Sequence, residues 1–183
     1  SKQFLPNNMA WQQAFNAPGI YPVYDDGNAN AFPEKYASPS SIGFTANFFN
    51  PVATANYYDS RNSNRQFLTN AYAQLNIIPE KLNFKTNINY NYQSMEGNSF
   101  IPTYYVSSWQ QQTASSLTKS TTNYDNYIWD NTLTFRDSKG KHNYGAMVGM
   151  SMREENYRFL SGTASNVPEG KDEYHYLNKG DSK

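Results

Sequence analysis

The chain has 183 residues, 38% of them hydrophobic and 16% aromatic, with 15 basic and 15 acidic side chains and no cysteine. Balanced charge without a long run of one sign leaves no electrostatic footprint for nucleic acid, and the lack of cysteine excludes a disulfide scaffold or a thiolate metal site. No apolar run approaches the ~20 residues of a membrane helix, and Ser1-Lys2-Gln3-Phe4 does not open a signal peptide, so a membrane role would have to use strands.

A membrane strand needs only about 9–11 residues with one apolar face. A mean hydropathy of -0.83 is therefore compatible with spanning. The 16 Tyr and 11 Phe, set among abundant Asn, Ser, Thr and Gln, make a strand-forming mixture with little helical character.

Residues 1–64 carry Pro6, Pro18, Pro22, Pro33, Pro39 and Pro51, which argues for a long irregular loop with short extended pieces. Asp25-Asp26-Gly27-Asn28 reads as a tight turn; its oxygens could suggest calcium, but the alternating ligand positions of a calcium loop are missing. No metal or cofactor is expected.

From Arg65 the pattern changes to period 2. Phe67, Ala71, Ala73, Leu75 and Ile77 fall on one side and Gln66, Asn70, Gln74 and Asn76 on the other, with Leu68 and Tyr72 as exceptions. Pro79-Glu80-Lys81 breaks the run, and alternation resumes through Leu82, Phe84, Thr86, Ile88, Tyr90 and Tyr92 against Asn83, Lys85, Asn87, Asn89, Asn91 and Gln93. Two such runs joined so briefly predict an antiparallel hairpin.

A polar loop over residues 94–121 follows, carrying Tyr104, Tyr105 and Trp109 as candidate substrate-binding aromatics, although they could equally pack the loop on itself. A second hairpin comes next. It places Tyr127, Trp129, Leu133 and Phe135 with Tyr144, Ala146, Val148, Met150 and Met152 on its apolar face, with Ile128 as an exception on the polar side. Its turn is Asp137-Ser138-Lys139-Gly140-Lys141, and residues 154–183 read as a second polar loop.

The expected fold class is therefore all-β: antiparallel strands forming part of a transmembrane β-barrel with long extracellular loops. The division is a Pro-rich extracellular loop region over 1–64, two barrel hairpins over 65–153 and a polar extracellular loop over 154–183. Short turns alternate with long loops, and strands of about 11–13 residues exceed the usual soluble length. Leu82, Phe84, Ile88, Tyr90, Tyr92, Val148 and Met150 are the candidate lipid-facing residues, while Tyr127 and Trp129 suit an interfacial aromatic girdle.

Local patterns in the chain resemble the SusC-like branch of TonB-dependent outer-membrane transporters. They are Ala17-Pro18-Gly19-Ile20-Tyr21-Pro22-Val23-Tyr24-Asp25-Asp26-Gly27, Asn50-Pro51-Val52-Ala53, Leu82-Asn83-Phe84-Lys85 after the run from Arg65 to Tyr72, and Trp129-Asp130-Asn131-Thr132-Leu133-Thr134-Phe135 before Gly140-Lys141-His142-Asn143. The resemblance implies a barrel of about 22 strands with a plug in the bacterial outer membrane. It also implies import of glycans or peptides energised by the TonB complex, and a SusD-like surface lipoprotein as a lid. The chain is expected to be an interior barrel stretch, its partners being the remaining barrel and plug, the lipoprotein, TonB through a part not included here, substrate and lipid.

Catalysis is not expected. His142 beside a turn and His175 in the polar tail read as solvated, and Glu154-Glu155 and Asp172-Glu173 as surface charges. The rival reading is a secreted soluble β-sheet module for binding or adhesion, which would need a second layer over the apolar face. The sequence offers no amphipathic helix to provide it.

Overall fold

A computed structural model describes residues 9–45, 48–170 and 175–182. The fold is mostly β, and its main feature is an open antiparallel sheet built on four long strands. These are β1 (Asp59–Ile78), β2 (Leu82–Ile101), β5 (Ser116–Lys139) and β6 (His142–Ser165). They are adjacent in the order β1-β2-β5-β6, and the two-residue β7 (Asp181–Ser182) pairs with the end of β6. The short strands β3 (Tyr104–Tyr105) and β4 (Gln111–Gln112) pair separately.

The long strands span 20, 20, 24 and 24 residues, well beyond the alternating runs. The extra residues, such as Ser94, Asn98, Thr118, Thr121, Thr122 and Thr163, are polar on both faces. Backbone pairing continues through them without leaving a period-2 signature.

Both hairpin turns are tight. Lys81 N–H donates to Ile78 O at 3.1 Å, with Glu80 at φ 64° in the left-handed region. The second turn places Gly140 at φ 64°, where the missing Cβ removes the steric penalty that Glu80 has to bear.

The chain divides into two compact units. One comprises Asn64–Met95 and Thr121–Phe159, the two hairpins; the other comprises Ser1–Ser63, Glu96–Ser120 and Leu160–Lys183. In this second unit the expected irregular loop contains two short helices, α1 (Met9–Asn16) and α2 (Pro51–Tyr57), which pack together. The reason for α2 is local. Asn50 Oδ1 accepts from Val52 and Ala53 N–H at 3.1 and 3.2 Å, and Pro51 occupies the first turn, where its missing N–H costs nothing.

This unit has two small cores. Tyr36, Ala53, Tyr57, Tyr104 and Val106 form one, and Phe100, Leu117, Ala164 and Val167 the other. Three buried or anchored polar groups knit its loops. Asn28 Nδ2 donates to Tyr36 O and Val106 O at 2.7 and 3.0 Å, Lys35 Nζ reaches the carbonyls of Ala29 and Ala31 at 2.8 and 2.9 Å, and Ser115 Oγ donates to Val167 O at 2.6 Å.

Candidate functional site

The two hairpins build a sheet with chemically opposite faces. Side-chain bonds identify them: Gln66 with Asn91, Asn70 with Asn87 and Asn89, and Asn83 with Asn76 all meet on one face, joining β1 to β2. Lys85 Nζ lies 5.2 Å from the Tyr72 ring, so Tyr72, out of pattern in sequence, belongs on this polar face with a cationic neighbour. Leu68 and Ile128 also meet here, lining a cavity of about 300 Å³ with Asn70, Asn89, Asn91 and Asn126.

The opposite face is apolar across all four strands. Trp129 Nε1 donates to Thr86 Oγ1 at 2.8 Å, tying β5 to β2, and Phe135 lies 6.3 Å from Tyr144 across β5 and β6. Alternation then carries Leu82, Phe84, Ile88, Tyr90 and Tyr92 to the same side as Val148 and Met150. Ile88, Val148 and Met150 are 48%, 65% and 58% exposed, and none of the seven is buried. Phe84, Leu133, Val148 and Met150 flank a groove of about 190 Å³ on this face.

Tyr127 and Glu154 sit opposite one another where the apolar band ends, the phenol donating to Glu154 Oε2 at 2.8 Å. Tyr124 donates to Glu155, which is also paired with Arg153. The carboxylates at 154 and 155 are therefore engaged by neighbours rather than simply solvated. Asp172-Glu173 lies outside the described residues.

The three candidate aromatics of the loop have separate fates. Tyr104 is 7% exposed and stacks on Tyr57 with ring centroids 4.4 Å apart. Burial pushes both phenols up to about 12. Tyr105 is half-buried and exchanges backbone hydrogen bonds with Phe32, both 3.0 Å. Trp109 is 68% exposed on a turn closed by Gln110 N–H to Ser107 O at 3.1 Å. Of the three, Trp109 is the one presented to solvent.

Sequence reasoning missed the scaffold behind that turn. Asn50 Nδ2 donates to Val23 O and Ala37 O at 2.8 and 3.2 Å, and Tyr21 OH donates to Ala37 O at 2.6 Å. Burial pushes the Tyr21 phenol up to about 12 as well. The Asn50-Pro51 pair was the available signal, being a helix cap followed by a first-turn proline. Asp25 Oδ1 accepts from Gly27 N–H at 2.9 Å, the Asx turn expected of that stretch.

His142 is exposed beside the second turn. His175 departs from expectation: it is 5% exposed, and its ring stacks on that of Phe100 with centroids 3.8 Å apart, Phe100 itself belonging to the small apolar core with Leu117. Among the described residues there is no group of three or more His, Cys, Asp or Glu placed to hold a metal, and no helix long and apolar enough to cross a membrane, which says nothing about strands. The chain matches no protein-family model and no curated protein sequence.

Proposed function

We propose that this chain is a wall segment of a SusC-like, TonB-dependent outer-membrane transporter that imports glycans or peptides and performs no covalent chemistry. The observation that carries the reading is the exposed apolar face running across four long antiparallel strands, backed by a face of bonded carboxamides. Hydrocarbon suits the first face and a wet lumen the second. Asn70, Asn89 and their neighbours demand partners that a dry core would have to supply in full.

In this reading the open edges of β1 and β6 pair with further strands of the same barrel, which encloses a plug. The loops after β2 and β6 lie outside the cell under a SusD-like lipoprotein, TonB engages a part of the protein not included here, and Trp109 faces incoming substrate. The rival, a secreted soluble module, has the second unit's own small cores in its favour, but it leaves Val148 and Met150 uncovered.

Trp129 supplies the test. In the whole barrel protein, with Trp11, Trp109 and every Trp outside this segment replaced by Phe and the protein reconstituted into vesicles with brominated acyl chains, Trp129 fluorescence should be strongly quenched by lipid and poorly quenched by aqueous iodide. Quenching by iodide alone would overturn the membrane reading and favour the soluble module.

A further inference from the structure

On the polar face of the two hairpins, a cavity of about 300 Å³ is bounded by Leu68 and Asn70 of β1, Asn89 and Asn91 of β2, and Asn126 and Ile128 of β5. These residues stand on three adjacent strands, so the sheet itself is the floor and the cavity is a blind depression in one face.

The carboxamides around it are only partly used. Asn70 Nδ2 donates to Asn87 Oδ1 at 2.9 Å and also to Asn89 Oδ1, and Gln66 Nε2 donates to Asn91 Oδ1 at 3.2 Å. A carboxamide has two N–H donors and an acceptor oxygen, so the Nδ2 groups of Asn89 and Asn91 and the Oδ1 of Asn70 keep their capacity for a ligand. The bonds already made hold these side chains in place, which lowers the cost of ordering them around an occupant.

No charged side chain lines the cavity among the described residues. Glu155, reached from Asn126 through the Tyr124 hydroxyl, is engaged by that phenol and by Arg153. A neutral ligand is therefore favoured, because an ion would lose hydration without meeting a counter-charge. Leu68 and Ile128 add aliphatic walls beside the polar groups. An acetamido group matches all of these features. Its C=O accepts from Asn89 or Asn91, its N–H donates to Asn70, and its methyl rests on the aliphatic walls. A sugar hydroxyl would set those walls against a polar group. A peptide main-chain amide continues at both ends, whereas a blind depression takes a group that terminates in it.

We propose that this cavity is a subsite for the N-acetyl group of a neutral glycan that contains N-acetylhexosamine. The proposal rests on the reading of this face as the wet wall of a transporter lumen, and it narrows the cargo to an acetamido-bearing glycan.

The test is titration calorimetry on the whole barrel protein in detergent. It compares chitotriose in its N-acetylated form with cellotriose, which has the same linkage and a hydroxyl in place of each acetamido group. The acetylated sugar should bind about tenfold more tightly, and Asn89→Leu and Asn91→Leu should each weaken it roughly three- to tenfold, the effect of losing one hydrogen bond. Ile128→Ser should erode the preference about fourfold, the effect of withdrawing one methyl from apolar contact. Gln74→Ala, on the same face outside the cavity, should change nothing. Trp129 quenching by brominated chains, measured on each variant in the single-Trp background, shows that a lost affinity is not a lost fold. Equal affinity for the two sugars in quenched native protein would overturn the subsite and leave the membrane reading standing. Binding of trialanine as tightly as the acetylated sugar would mark a peptide site and overturn the choice of a glycan. Absence of quenching in the native protein would overturn the lumen reading and the proposal with it.

Discussion

Asn50 and Gln110, 60 residues apart, clasp each other: Asn50 N–H donates to Gln110 Oε1 at 2.8 Å, and Gln110 Nε2 donates back to Asn50 O at 2.9 Å. Gln110 also donates to Thr54 Oγ1 at 2.9 Å, so one carboxamide ties the Trp109 turn to helix α2. Both residues are nearly fully buried, and replacing either strands polar partners without water. Asn50→Ala should destabilise this unit by about 2–4 kcal/mol, combining the lost cap with orphaned carbonyls, and Gln110→Ala by about 1–3 kcal/mol. Because Gln110 grips Asn50 through main-chain atoms, the coupling is read from its side-chain tie to Thr54: denaturant titration of Gln110→Ala, Thr54→Val and the double variant should show a double loss smaller than the summed losses. Strict additivity would refute the tie between the turn and α2.

Ile88 and Asn89 are neighbours on opposite faces of β2. Ile88→Arg places a charge on the apolar side and should destabilise the membrane-inserted form by roughly 2–4 kcal/mol, whereas Asn89→Arg should lose much less. Folding of the whole barrel protein into lipid vesicles, followed by denaturant titration, compares them. Equal losses would mean that both faces are packed.

Tyr57 and Tyr104 stack in the small core, and burial raises both phenols from 10.0 to about 12. The neutral phenol is favoured in the folded state, so this contribution to stability is fully present below pH 10 and is lost as pH rises through about 12. Circular dichroism and phenolate absorbance, followed together, should show alkaline loss of structure across that window. Tyr104→Phe should shift the midpoint upward, and an unchanged midpoint would contradict the assignment.

Gly180 lies where the returning segment meets the end of β6. An added Cβ would come within 2.7 Å of Val167 Cγ2 and still closer to Ser165 O, a backbone atom that cannot swing aside. Gly180→Ala should destabilise the segment by about 1–3 kcal/mol and raise proteolysis there, while Gly19→Ala, with nothing within 4 Å of its Cβ, should be silent. Equal protease sensitivity in the two variants would show that the segment is not seated as described.

What the sequence determined by itself is the two-faced character of the hairpins. Period 2 is a local property, so Leu82, Phe84 and Ile88 on one side and Asn87, Asn89 and Asn91 on the other could be read without any knowledge of neighbours. The turns were legible for the same reason, through Pro79 and Gly140. Tertiary structure decided everything that depends on a distant partner. Strands continue through Thr118 and Thr163 because their hydroxyls meet at 3.0 Å across β5 and β6, although neither face there is apolar. Tyr104 is buried and Trp109 exposed because Tyr57, far away in sequence, stacks on one and not the other. His175 leaves the solvent because Phe100 offers it a flat surface. Local alternation sets which way a side chain points, and only long-range packing sets what it meets.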